Sequence, residues 1–102
     1  VTIDEICAAI QADLKKKADA SIDVRQHAIV FGDTLRKHVP SAALTAHGKG
    51  FDVIYASVVT LDARDVGASG RLVGYLDQLM RMALTLGAEM SSVEKTYFAF
   101  WR

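Results

Sequence analysis

The chain of 102 residues holds one cysteine, Cys7, and one proline, Pro40. A single thiol cannot close an intrachain disulfide, so stability has to come from packing and not from a covalent staple. One proline and seven glycines exclude a collagen-like repeat, and 51% hydrophobic residues exclude a disordered tail. Charge of either sign is not in excess, because twelve Lys plus Arg balance twelve Asp plus Glu. Such a chain has no bulk attraction to a polyanion, and nucleic-acid binding is not expected. The Lys15–Lys17 run has no aromatic residues interleaved with it and reads as a solvated helix end. Long apolar runs are missing too. The most apolar stretch, Val53–Val59, falls far short of the ~20 residues that cross a membrane. No basic-then-apolar leader opens the chain, whose first residues are Val1-Thr2-Ile3-Asp4-Glu5. A cytoplasmic domain is expected, or a mature form that has already lost a leader.

What is present is one domain, residues 1–102, long enough to bury an unstapled core. Thr2 followed by Glu5 is a capping-box pattern, and Ile3, Ile6, Cys7, Ile10, Leu14 and Ala18 recur at helical spacing. A second helix is predicted from Ser21 to Val39, lined by Val24, Ala28, Phe31, Leu35 and Val39 and stopped by Pro40. Gly32 lies beside that apolar face, which suggests that a neighbouring backbone approaches there. Residues 40–50 are the least regular, with a short turn through Ala42–Ala46 and Gly48-Lys49-Gly50 as a flexible connection. The clearest helix carries Leu72, Val73, Leu76, Leu79, Met80, Ala83 and Leu86. Ser69 is its candidate cap, Gly87 its end, and Asp77–Arg81 a surface pair. Its broad stripe marks it as central to the fold.

Residues 51–66 support two periods. At 3.6, Phe51, Ile54, Tyr55, Val58 and Leu61 share a face; at 2, Phe51, Val53, Tyr55, Val59 and Leu61 do. Length favours a helix, while β-branched and aromatic content favours a strand. The tail, opened by Ser91 and Glu94 as a second capping box, carries the same ambiguity. The expected fold is mostly α, a bundle of four main helices. Its alternative is α+β, with helices packed on a small sheet of residues 51–61 and 95–101.

Chemistry-bearing patterns are sparse. His27 and His38 stand roughly 16 Å apart along one helix, and no HxxxH, HExxH or CxxC spacing occurs, so no metal or cofactor is implied. Cys7 lies inside an apolar stripe and reads as a small core residue. No GxSxG elbow is present, and no acidic residue falls on an otherwise apolar stripe. Nothing assigns an enzymatic activity.

Half of the eight aromatic residues, Tyr97, Phe98, Phe100 and Trp101, crowd into the last six positions. Either they plug the domain's own core or they form an apolar contact surface. The first functional expectation is therefore a protein–protein interaction domain, a self-associating regulator, adaptor or small subunit. It is at least a homodimer, and its contacts come from those aromatics and the outer face of residues 51–66. The second is a small-ligand or phosphate-binding domain, or a small enzyme. Its pocket would lie near His47, Lys49, Ser69, Arg71 and the Gly67–Gly70 turn, whose backbone N–H groups can cradle an anion.

Overall fold

Each apolar stripe of the sequence coils into a helix in the computed structural model. It describes residues 2–16, 21–62 and 66–101, and of residues 21–25, 100 and 101 the backbone alone. The first helix, α1 (Ile3–Lys16), starts as its sequence directs. Thr2 Oγ1 accepts the amide of Glu5 at 3.2 Å, and Ile3, Ile6, Ile10 and Leu14 turn inward. Acids at its start and lysines at its end both match the helix dipole. Ala18 lies outside the described residues.

In α2 (Ser21–Lys37), Ala28, Phe31 and Leu35 are fully buried, and Val39 is buried just beyond the helix end. The side chain of Val24 lies outside the described residues. Gly32 does adjoin a close neighbour, but it is a side chain and not a backbone. Two ring carbons of Tyr55 would lie 3.1 Å from a Cβ placed there. Burial first, and then the nearby Asp33 carboxylate, raise the Tyr55 hydroxyl above its ordinary pKa.

Pro40 precedes α3 (Ser41–His47), and Gly48 joins it directly to α4 (Lys49–Thr60). The flexible connection expected over 48–50 is thus a tight corner followed by the first turn of a helix. Gly48 is helical there, with its amide 2.9 Å from Leu44 O, and a Cβ would collide with that carbonyl. α4 stops at Thr60, where Leu61 turns extended, so Asp62 stays beyond the negative helix end.

α5 (Ala68–Thr85) begins at Gly67 in the left-handed region, with the Arg71 amide on Gly67 O at 3.1 Å. Ser69 is therefore not the cap; it is exposed within the first turn. Gly87, at φ 116, reverses the chain after α5, a conformation L side chains rarely adopt. α6 (Met90–Trp101) starts one residue before Ser91. The amides of Ser92 and Val93 reach Glu89 O, so the capping box expected at Ser91 is not where the helix opens.

Six helices and no strand make up the described residues. The sheet alternative is corrected, because residues 51–61 and 95–101 fall almost wholly within α4 and α6. A helix closes its own backbone hydrogen bonds, whereas an isolated pair of strands would still need cover on its edges. The count of four is corrected as well. α1, α5, α2 and α6 pack in that cyclic order, and α4 lies outside the ring against α5 and α2. Leu76, Leu79, Met80 and Ala83 make α5 the central helix, in contact with α1, α2 and α4.

Candidate functional site

The aromatic tail divides between core and surface. α6 turns Val93, Thr96 and Tyr97 inward, and the Tyr97 hydroxyl donates to Asp13 Oδ2 on α1 at 2.7 Å. Tyr97 is a core residue of its own chain and offers a partner almost no surface. Successive helical residues point about 100° apart, and Phe98 accordingly emerges, 49% exposed. Its ring stands edge-on to Tyr97, centroids 5.2 Å apart. The side chains of Phe100 and Trp101 lie outside the described residues.

His47, Lys49, Ser69 and Arg71 are all exposed, but they do not converge. Gly50, next to Lys49, lies against Met82, since a Cβ there would sit 2.6 Å from its methyl carbon. Arg71 is in the first turn of α5, and eleven residues of helix separate it from Met82, roughly 16 Å. The Gly67–Gly70 turn and the His47–Lys49 corner therefore stand at opposite ends of α5.

A feature not legible in the sequence lies along the seam of α1 and α5. Gly70 and Gly74 face open space, since a Cβ at either would meet nothing within 4 Å. The absent side chains leave a shallow groove of about 400 Å³ bounded by Cys7, Ala8 and Gln11 on α1 and by Asp77 on α5. Arg81 ties its rim together. Its Nε donates to Asp77 Oδ1 and its Nη2 to Asp4 Oδ1, both at 2.8 Å. The Asp77–Arg81 pair was readable from its i,i+4 spacing; Asp4, distant in sequence, was not.

Cys7 Sγ donates to the same Asp77 oxygen at 3.4 Å. Burial chiefly, then the Asp77 carboxylate, push its pKa from 9.0 up to about 12. The thiol stays protonated at neutral pH and is a poor nucleophile. Hydrogen bonds and charge from Asp77 likewise raise the Arg81 pKa, which keeps its guanidinium charged between the two carboxylates. The groove thus holds a neutral thiol and a paired ion cluster. Among the described residues, no group of three or more His, Cys, Asp or Glu is placed to hold a metal ion. No described helix is long and apolar enough to cross a membrane.

No family model, curated protein or solved structure matches this chain. Its function has to be read from its own surfaces.

Proposed function

We propose that the protein is a small helical interaction domain that self-associates, with Phe98 at one contact surface. The observation that carries this reading is Phe98 itself, half exposed and braced edge-on by a buried tyrosine. Because Tyr97 is anchored by Asp13, the phenyl ring beside it is presented on a rigid support. An aromatic held in place loses little entropy on docking, and such residues concentrate binding energy at interfaces.

Sedimentation velocity over a graded concentration series tests it. The wild type should move from its 11.1 kDa monomer mass toward twice that value. Phe98→Ala should weaken association about tenfold, near 1.4 kcal/mol, with an unchanged circular-dichroism spectrum. Equal association by wild type and variant would remove Phe98 from the interface.

A further inference from the structure

We propose that Met82 is an oxidation site whose sulfur, once converted to the sulfoxide, releases the first turn of α4 from α5. The methionines differ in how far they are covered. Met80 is fully buried, whereas Met82 and Met90 are half-buried at the margin of the core. Met82 rests its methyl on the backbone of Gly50, in the first turn of α4. A Cβ added at Gly50 would lie 2.6 Å from Met82 Cε and 3.9 Å from its sulfur. Gly50 itself is exposed, so this contact lies at the edge of the protein, where a small oxidant in water meets the thioether.

The same turn is fastened at further points. Phe51 is fully buried, and Asp52 is ion-paired with Arg36 of α2. Gly48 leaves little slack behind them, since its amide is committed to Leu44 O at 2.9 Å and a side chain there would collide with that carbonyl. Hydrogen peroxide converts the thioether in one balanced step. A sulfur lone pair bonds to one peroxide oxygen, the O–O bond breaks, and the second oxygen leaves as water with both protons. Sulfur loses two electrons and the peroxide gains them. The product is polar where the thioether was apolar. Its oxygen needs hydrogen bonds that an apolar seam does not offer, and a side chain with three rotatable bonds swings outward to find them. That swing withdraws the methyl from Gly50. α4 packs mainly on α5 and less on α2, so the contact that is lost belongs to its principal support.

Amide hydrogen exchange followed by NMR before and after hydrogen peroxide, with oxidised residues mapped by mass spectrometry, tests this. Three chains are compared: Cys7→Ser, and the same chain carrying Met82→Leu or Met90→Leu. The serine removes the thiol, and leucine keeps methionine's volume without its sulfur. Met82 should be oxidised before Met80. Exchange of the Asp52 amide, bonded to Gly48 O at 3.0 Å, should then quicken about fivefold, while that of Ile10 in α1 stays unchanged. Methionine sulfoxide reductase should restore the slower rate. The Met90→Leu chain should respond in the same way, and the Met82→Leu chain should exchange slowly with or without peroxide. Met82 oxidised with the Asp52 rate unchanged overturns the proposal. So does a quickening that reaches Ile10 equally or persists in the Met82→Leu chain, and so does a Met82 that resists peroxide until the whole chain unfolds. If the Met82→Leu chain does not fold, the paired Asp52 and Ile10 rates of the other two chains decide.

Discussion

α4 and α6 are each twelve residues long and both are rich in apolar side chains, yet they occupy different layers. α6 closes the ring between α1 and α2, and buries Val93 and Tyr97 almost completely. α4 lies on the outside of the ring, where Phe51 and Val58 are covered and Val53 and Ala56 are not. Apolar content sets how much cover a helix requires. Its place in the packing order sets whether its own chain supplies that cover. The aromatic tail, the most conspicuous apolar feature of the sequence, is in part absorbed by the core. A less conspicuous helix, α4, leaves Val53 and Ala56 exposed beside Lys49 and Asp52.

The sharpest way to break this comparison is truncation inside the ring. Tyr97→Ala should cost about 3–5 kcal/mol in chemical denaturation, because it opens a cavity and leaves Asp13 without its donor. Val58→Ala, on the inner face of the outer helix, should cost roughly 2 kcal/mol. A larger loss at Val58 than at Tyr97 would invert the assignment of layers. Val53→Ala should change folding stability by less than about 0.5 kcal/mol at concentrations where the chain is monomeric. A loss above 1 kcal/mol would place Val53 inside the fold.

A pH-dependent effect belongs to the α1–α5 seam. The Cys7 thiol keeps its proton in the native state up to about pH 12, whereas a thiol of ordinary pKa 9.0 releases it earlier. Over that interval the folded chain binds more protons than the unfolded one, so stability falls as pH rises. Cys7 therefore contributes fully below pH 9, and its contribution is lost as pH climbs toward 12. Melting temperature measured against pH should decline more steeply in this window for the wild type than for Cys7→Ala. Parallel curves would show that the seam does not hold the thiol neutral.

Much of this was legible in particular residues. Ile6, Ile10 and Leu14, or Leu72, Leu76 and Leu79, recur at helical spacing because a helix places them on one face whatever surrounds it. The Asp77–Arg81 pair and the cap at Thr2 are equally local. The hydrogen bonds of Tyr97 to Asp13, Arg81 to Asp4 and Cys7 to Asp77 join positions 84, 77 and 70 apart. No pattern within a helix encodes such partners. Phe51, Tyr55 and Leu61 satisfied two periods at once, and only packing against α2 and α5 selected the helical one.

By itself, the sequence determined that α1, α2 and α5 are helical, roughly where they run and which of their faces seek cover. Each of those properties follows from spacing along a few neighbouring residues. Tertiary structure alone decided that α6 completes the ring and α4 stays outside it, and so which apolar side chains remain at the surface. Layer order arises from the simultaneous fit of all the helices, in which every face that is covered removes a site from the others.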